Sequence, residues 1–236
     1  NKIRSIIISE LKEVIKKYSK PRNTMFFYKN DIEDVDIVEE IPDYPVNLFL
    51  SGSGYFKKIT PQSLRMSSEQ KLKEGDSIII HKEATNLTEL LFFTDKCQVY
   101  KSRASAFDDT KASVLGDYVP AKLGFDEGEE LLYMADTIDY EGYMLFFFEN
   151  GKAAKVPLKA YETKTNRKKL ANAYSGKSKL CGMLYISEDI DIMLRSSNGK
   201  VIIFNTSLLN PKSTRDTIGV QTTVSYTHLR AHETSA

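Results

Sequence analysis

Four segments of this chain repeat one pattern of apolar and polar positions. Each segment has an apolar run, a tight turn where glycine is common, and a second strand-like run that carries lysine. At two of the turns the sequence is Asn150-Gly151 and Asn198-Gly199, and Asn-Gly between apolar runs favours a hairpin because both turn positions need positive φ. The pattern therefore predicts four β-hairpins, at residues 48–58, 90–101, 144–156 and 192–204.

The spacing of these hairpins predicts how they are arranged. The second residue of each turn falls at positions 54, 96, 151 and 199, which gives steps of 42, 55 and 48 residues. Steps of about 40–50 residues are typical of four-stranded propeller blades. Further apolar runs precede the later hairpins, at residues 77–80, 131–134 and 183–186, and supply additional strands. A single hairpin cannot bury its own face, so these repeats are predicted to stack on one another.

The chain is therefore predicted to be all-β, a propeller-like disc of four-stranded blades preceded by one α-helix. The helix is predicted over residues 3–18, because apolar residues recur there at helical spacing and Lys20-Pro21 ends the pattern. Its apolar face is expected to pack on a partner helix outside this sequence. The predicted regions are the helix at 1–20, an acidic linker with a first strand at 21–45, about four blades at 46–223, and a tail at 224–236. The polar segments after each hairpin, at 61–73, 101–122, 155–179 and 205–220, are predicted to be outer loops.

The tail resembles the translated sequence of a transposon-based sequencing adapter, so we expect residues 224–236 to have no structural role. His228 and His232 are therefore not counted as metal ligands, which leaves His81 as the only other histidine. The sequence starts at Asn1 rather than Met, which is typical of a fragment.

Composition narrows the function classes only modestly. The 236 residues carry a net charge of +1, so a basic surface has to come from arrangement rather than from excess charge. The two cysteines, Cys97 and Cys181, lie in apolar runs and are predicted to be buried, reduced thiols without metal-binding spacing. Glu127, Glu129 and Glu130 are predicted to form a solvated acidic loop. Neither a signal peptide nor a membrane-spanning run is visible, and we expect a cytoplasmic protein.

The repeats resemble the C-terminal domain of the A subunits of bacterial DNA gyrase and topoisomerase IV. Gly54-Tyr55-Phe56-Lys57-Lys58 resembles the blade signature of that family, and Gly151-Lys152 and Gly199-Lys200-Val201 repeat it more weakly. The leading segment at 10–18, followed by Arg22-Asn23-Thr24, resembles the end of the helix that leaves the coiled-coil arm of the family. The acidic stretch at 31–40 matches the family's linker in character and position.

The resemblance implies a β-pinwheel, a disc of blades that exchange strands with their neighbours and bind duplex DNA around the rim. It also implies association with the topoisomerase's B subunit, a homodimer formed through the missing N-terminal region, and nucleoid association. The full complex would use Mg²⁺ and ATP, whereas this fragment would hold no cofactor and no catalytic residue. Segment 64–75 corresponds to the family's basic box but lacks its paired arginines and double glycine; only Arg65, Gln70, Lys71, Lys73 and Gly75 echo its chemistry. The departure favours a topoisomerase IV-like or otherwise divergent protein with little DNA wrapping.

Cationic side chains are the candidate functional groups, since affinity for DNA grows with the number of phosphates neutralised. Lysines at equivalent positions of stacked repeats are expected to form one stripe on the rim. The densest cluster lies at 164–169, where residue types alone leave a solvated basic loop as an open alternative. The candidate DNA-binding residues are Lys57, Lys58, Arg65, Lys71, Lys73, Lys101, Arg103, Lys155, Lys164, Arg167, Lys168, Lys169, Arg195 and Lys200.

Two other function classes compete with DNA binding. A protein-interaction propeller would expose aromatic or apolar loops at one mouth, whereas the loops here are rich in Lys, Ser, Asp and Thr. An enzyme on a propeller scaffold would need convergent His, Asp or Glu side chains, and His81 has no evident partner. The aromatic runs at 92–93 and 146–148 contain no Lys or Arg, so they are predicted to be core rather than a stacking platform for single strands.

Overall fold

The structure is a computed structural model, which describes residues 2–20, 41–67, 69–163, 167–196, 199–222 and 229–232. The strand predicted within the acidic linker and Lys164 lie outside the described residues. The helices are α1 (Lys2–Tyr18), α2 (Pro61–Met66) and α3 (Val119–Leu123). The strands are β1 (Pro45–Ser51), β2 (Tyr55–Ile59), β3 (Ile78–Thr85), β4 (Glu89–Thr94), β5 (Gln98–Arg103), β6 (Asp117–Tyr118), β7 (Leu131–Thr137), β8 (Tyr143–Phe148), β9 (Lys152–Pro157), β10 (Lys169–Ala171), β11 (Leu180–Ile186), β12 (Asp191–Ser196), β13 (Val201–Asn205), β14 (Val220–Gln221) and β15 (Leu229–His232).

The chain divides into two compact units, residues 1–40 and 41–236. In the first unit, α1 carries Lys16 and Lys17 in its last turn, where cations offset the negative end of the helix dipole. Its apolar side chains are all exposed, with Ile3 at 77% and Ile15 at 61%. Packing on another helix remains a prediction.

All four predicted hairpins are present, and they share one register. Pairing in the first runs from Leu50 opposite Phe56 to Leu48 opposite Lys58. The same geometry joins β4 to β5, β8 to β9 and β12 to β13. The runs predicted to precede the later hairpins are the strands β3, β7 and β11.

The hairpins lie in sheets that repeat one connection. In the order of pairing, the first three sheets are β3-β1-β2-β6, β7-β4-β5-β10 and β11-β8-β9-β14. In each of these sheets, the edge strand that pairs with the second strand of the hairpin is β6, β10 or β14. In the sequence, this edge strand lies after the hairpin of the next sheet. Each sheet is thus completed by a strand from its successor. The segments predicted to be outer loops after β5, β9 and β13 therefore contain strands, because the free edge of the preceding sheet offers unpaired backbone groups.

Among the described residues, the fourth sheet has three strands, in the order β13-β12-β15. Residues 229–232 form β15, which pairs antiparallel with β12 from Met193–His232 to Ser196–Leu229. In the first three sheets, the corresponding edge position beside the first strand of the hairpin is occupied by β3, β7 and β11. The tail thus adopts a strand on an otherwise open edge, a pairing that needs backbone groups but little particular sequence.

We predict that a chain ending at residue 223 keeps the melting temperature of the longer chain to within about two degrees. The reason is that four residues of edge pairing add little beyond the entropy lost in ordering them. Differential scanning calorimetry of both lengths measures this. A larger fall would show that β15 is an integral part of the fourth blade.

The core lies between successive sheets, which explains the uninterrupted apolar runs. Leu90 and Phe92 of β4 pack towards the first sheet, whereas Leu91 and Phe93 pack towards the third. On β8, Phe146 and Phe147 divide in the same way between the second and fourth sheets. A strand buried on both faces shows continuous rather than alternating hydrophobicity. The prediction that these aromatic side chains form the core is confirmed.

Candidate nucleic-acid interface

Three of the predicted DNA-binding lysines occupy one repeated position inside the fold. Lys58, Lys101 and Lys155 lie opposite Leu48, Leu91 and Leu145, at equivalent places in the first three hairpins. We call these three residues the junction lysines. The exposed fraction of the side chain is 3% for Lys58, 12% for Lys101 and 4% for Lys155.

Each junction lysine is held by an acid and by an aromatic ring. The Nζ of Lys58 lies 3.1 Å from Asp109 Oδ1, 5.7 Å from the centre of the Tyr44 ring, and donates a hydrogen bond to Asn86 Oδ1 at 2.8 Å. These contacts come from chain on both sides of the first hairpin. A buried ammonium needs such partners, because it has lost its hydration and a buried charge without hydrogen bonds or an opposite charge is strongly destabilising.

The other two junction lysines repeat this scheme with different partners. Lys155 donates to Asp189 Oδ1 at 2.6 Å and to the Thr206 carbonyl at 3.3 Å, and its Nζ lies 4.4 Å from the Tyr143 ring centre. The ammonium of Lys155 holds the pKa of the Asp189 carboxyl below its usual range.

Lys101 lies 3.9 Å from Glu89 and 4.8 Å from the centre of the Tyr140 ring, and it donates to Thr163 Oγ1 at 3.1 Å. Burial lowers the pKa of Lys101, although Glu89 acts in the opposite direction. The prediction that these lysines form an exposed stripe on the rim is therefore wrong, because their side chains are buried or largely buried. Their ammonium groups point into the junctions between sheets, where they pair with acids and aromatic rings.

Lys57 is buried as well, and it supports the segment that corresponds to the family's basic box. Its Nζ donates to the carbonyl oxygens of Lys71 at 2.7 Å and Ala112 at 3.1 Å, and to Gln70 Oε1 at 3.2 Å. Burial lowers the pKa of Lys57. Lys57 therefore fixes the backbone of this segment from beneath.

On the outer side of the same segment, Arg65, Lys71 and Lys73 are exposed. None of these three side chains makes a hydrogen bond or ion pair with the described part of the chain. The segment thus presents three unpaired cations on a backbone held in place by Lys57. Its first residues, predicted to be loop, form the short helix α2, because Thr60 caps it by accepting a hydrogen bond from Ser63 N.

The predicted basic cluster divides into paired and unpaired groups. Arg167 and Lys168 are exposed, with no side-chain partner among the described residues. Lys169 donates a hydrogen bond to Asp126 Oδ2 at 2.7 Å, which raises the pKa of Lys169, and its Nζ lies 5.3 Å from the centre of the Tyr100 ring. The two residues before β10 are therefore the available part of the cluster.

The remaining candidates lie apart from one another. Arg103 is 56% exposed and lies 3.5 Å from Glu89. Arg195 and Lys200 are exposed on the fourth hairpin. Among the predicted residues, the neighbouring exposed cations without an internal partner in the described part of the chain therefore lie on two segments, 64–75 and 167–168.

Other exposed lysines lie outside the predicted set, and Lys111 and Lys212 are examples. Lys111 and Lys212 are exposed, and neither makes a side-chain hydrogen bond or ion pair to another described residue. Each is an isolated lysine in a polar segment, so no local density of charge marks it.

Two further predictions about polar groups need correction. Glu129 is 6% exposed rather than solvated, because its carboxylate accepts hydrogen bonds from Tyr100 Oη at 2.7 Å, from Asp126 N at 2.9 Å and from Thr94 Oγ1. Cys97 and Cys181 are free thiols, as predicted, but are partly rather than fully buried.

In the described ranges no group of His, Cys, Asp or Glu side chains is arranged to hold a metal ion. Among the same residues, no helix has the length and apolar character of a membrane span.

Comparison with curated proteins gives a consistent set of relatives. The chain is 27% identical over 219 residues to the A subunit of DNA gyrase from Streptomyces coelicolor, covering 86% of this chain and 25% of that protein. It is 24% identical over 218 residues to the A subunit of DNA topoisomerase 4 from Staphylococcus aureus, covering 89% of this chain and 27% of that protein. The chain thus spans about a quarter of the length of these relatives. No family model matches it.

Comparison with solved structures identifies the fold. A crystal structure of the C-terminal domain of DNA topoisomerase IV superposes with a TM-score of 0.69 at 21% identity, covering 82% of this chain and 63% of that one. The E. coli ParC C-terminal domain superposes with a TM-score of 0.61 at 14% identity, covering 79% of each chain. The predicted β-pinwheel is confirmed.

Proposed function

We propose that this chain, which is homologous to the A subunits of bacterial DNA gyrase and topoisomerase IV, binds duplex DNA without sequence specificity and presents a segment of it to the catalytic core of a type II topoisomerase. The observation that carries the proposal is the separation of its cations into two kinds. Of the junction lysines, Lys58 and Lys155 are buried and Lys101 is largely buried, and each is paired with an acid. The exposed cations without an internal partner among the described residues include Arg65, Lys71, Lys73, Arg167 and Lys168.

Unpaired cations on a rigid scaffold suit the DNA backbone. Lysine and arginine release condensed counterions when they neutralise phosphates, which supplies most of the free energy of nonspecific binding. Contacts to phosphate position the duplex and carry no sequence information. Binding is therefore expected to be salt-sensitive and insensitive to base sequence.

Strong wrapping would need further contacts to offset the energy of bending DNA. Segment 64–75 lacks the paired arginines and the double glycine of the basic box in gyrase-type proteins. We therefore propose a presenting rather than a wrapping role, closer to that of topoisomerase IV.

The wider assembly is part of the same proposal. By homology, the full protein would form a homodimer through its N-terminal region, associate with the B subunit of the topoisomerase, and use Mg²⁺ and ATP outside this fragment. It would act in the cytoplasm on nucleoid DNA. Because this chain matches only about a quarter of the length of its relatives, each of these partners is proposed for the full protein.

We predict that changing Arg167 and Lys168 together to alanine lowers the salt slope of duplex binding by about 1.8, since each phosphate contact contributes about 0.9. Fluorescence anisotropy with two unrelated duplexes over a range of salt concentrations measures the slope. The charge-matched control is Lys12→Ala with Lys16→Ala on α1, which should leave the slope unchanged. Equal losses on both duplexes are expected.

Two outcomes would count against the proposal. If the unchanged chain shows no salt-dependent duplex binding, the DNA role fails and a protein-interaction propeller becomes the better description. Strong writhe in a circularisation assay with a relaxing enzyme would contradict the absence of wrapping. Little net writhe together with salt-sensitive binding would support both parts.

A further inference from the structure

One face of the fourth sheet packs on the third sheet, and the opposite face is largely exposed. Ile192 and Leu194 of β12 are 6% and 0% exposed and belong to the core shared with the third sheet. Side chains alternate along a strand, so the residues between them point to the opposite side of the sheet, together with their partners on β13. Four residues that pair across β12 and β13 make up this side, which we call the outer face: Met193 with Ile203, and Arg195 with Val201.

The corresponding face of each earlier sheet is buried under the next sheet. The hairpin register aligns Val201 with Phe56, Val99 and Ala153, which are 1%, 0% and 1% exposed, whereas Val201 is 51% exposed. Ile203 occupies the position of the junction lysines and is 67% exposed. Apolar side chains that are exposed at positions buried in three other repeats indicate a surface that packs on another element.

The edge of the fourth sheet beside this face is open as well. In the first three sheets, the second strand of the hairpin pairs with β6, β10 or β14. In the described part of the chain, no strand pairs with the corresponding edge of β13. Such an edge presents a row of unpaired backbone groups that can pair with an added strand. In the earlier sheets, the chain that covers the face also supplies the strand that completes the edge, so one partner can satisfy both.

The first sheet shows how an end of this array is closed when no further sheet packs on it. Phe49 and Ile59 point away from the second sheet and are 7% and 0% exposed, because Leu64 of α2 and Ala112 pack against them. The His81 ring also stacks on Phe49, with the ring centres 4.3 Å apart. A terminal unit of a repeat array needs such a cap over its apolar face. The outer face of the fourth sheet has no comparable cap among the described residues.

The residues of the outer face define the chemistry of what covers it. Ile203 replaces the junction lysine, so a partner at this point needs an apolar side chain rather than an acid and a ring. Arg195 stands where the earlier sheets have apolar residues, and its exposed side chain makes no hydrogen bond or ion pair with the rest of the described chain. The nearby Asp191 carboxylate already accepts a hydrogen bond from Asn205 Nδ2 at 2.9 Å. A covered guanidinium therefore requires a carboxylate from the partner.

We infer that the outer face and the free edge of β13 dock a further β-sheet of the full protein. This sheet presents apolar side chains to Val201 and Ile203 and a carboxylate to Arg195, and it supplies a strand to β13. A second copy of this chain fits less well, since the same face would bring another Arg195 instead of the missing carboxylate. The inference concerns how the blades associate, and it holds whether or not the chain binds DNA.

The test compares hydrogen exchange of β13 in this 236-residue chain and in the full protein expressed from its own gene. Mass spectrometry of peptides covering residues 201–205 measures the exchange. We expect it to be at least about tenfold slower in the full protein, because both the edge and the face become covered there. Equal exchange in the two proteins would overturn the inference.

Variants of the outer face link this protection to the residues named. Val201→Gln with Ile203→Gln should leave the melting temperature of the 236-residue chain within about two degrees, since both side chains are exposed there. In the full protein, the same change should return the exchange of β13 to the rate in the shorter chain. The matched control is Ile138→Gln, which alters a side chain that is 76% exposed outside this face and should change neither quantity.

Two further results decide the identity of the partner. Arg195→Glu should remove the protection in the full protein, because it would place two carboxylates together, and unchanged protection would show that no carboxylate faces Arg195. Sedimentation velocity of the 236-residue chain tests for a second copy. A dimer that Val201→Gln with Ile203→Gln dissociates, combined with an unprotected β13 in the full protein, would assign the outer face to self-association and overturn the inference.

Discussion

Replacing Gly116 with alanine is expected to destabilise the blades by about 3 kcal/mol or more. Gly116 has a φ of 88°, and a Cβ built on it would lie 2.3 Å from the Phe56 carbonyl oxygen and 2.6 Å from Lys57 Cγ. The residue comes directly before β6, the strand that completes the first sheet. Alanine would therefore push this exchanged strand off β2. Chemical denaturation followed by circular dichroism measures the free energy of unfolding.

Gly75 provides the matched control for this prediction. Its φ of 76° is similar, but a Cβ there would meet nothing within 4 Å. Gly75→Ala should therefore cost only the backbone strain, about 1–2 kcal/mol. Gly219, directly before β14, repeats the close approach with a Cβ position 2.1 Å from the Ala153 carbonyl oxygen, and its replacement should match that of Gly116. Equal losses for Gly75 and Gly116 would show that β6 does not pack so closely against β2.

The hairpins were predictable because their signals are local. An apolar run, a turn and a second run occupy about a dozen consecutive residues. At Asn150-Gly151 the turn forms, but only Gly151 has the positive φ predicted for both residues, at 77°. The repeat spacing then indicates stacking. Burial of Phe92 and Phe93 follows because a run apolar at every position can be satisfied only when both faces are covered.

The exchanged strands were not predictable in the same way. β6 and β14 are two residues long, and each pairs with a hairpin that lies more than fifty residues earlier in the chain. Asp117-Tyr118 and Val220-Gln221 carry no periodic pattern that distinguishes them from loop. Their position is set by the open edge of the preceding sheet, which is a property of the assembled fold.

The junction lysines show the same limitation for the candidate site. In the sequence, the residues next to Lys58 and Lys155 do not distinguish them from lysines at exposed strand ends. Their burial depends on partners such as Asn86, Asp109 and Asp189, which the topology supplies from later parts of the chain. A basic residue in a repeated motif therefore does not indicate a binding residue until its partners are known.

Lys155→Met is expected to lower the free energy of unfolding by about 2 kcal/mol while leaving DNA binding unchanged. The substitution keeps an unbranched apolar side chain but removes the donor that serves Asp189 Oδ1 and the Thr206 carbonyl, and the cation over the Tyr143 ring. Asp189 is 39% exposed, so water partly replaces the lost partner and limits the effect. The control is Lys159→Ala, an exposed lysine just after β9, which should alter stability by less than about 0.5 kcal/mol.

The decisive measurement for Lys155 combines stability with the salt slope of duplex binding. A lysine that braces two sheets changes the first and not the second, because its ammonium never reaches a phosphate. A lysine on the DNA surface does the reverse: the slope falls by about 0.9 and the stability stays the same. If Lys155→Met lowers the slope under conditions where the variant remains folded, the ammonium leaves its internal partners when DNA binds, and the division into buried structural and exposed binding cations is wrong.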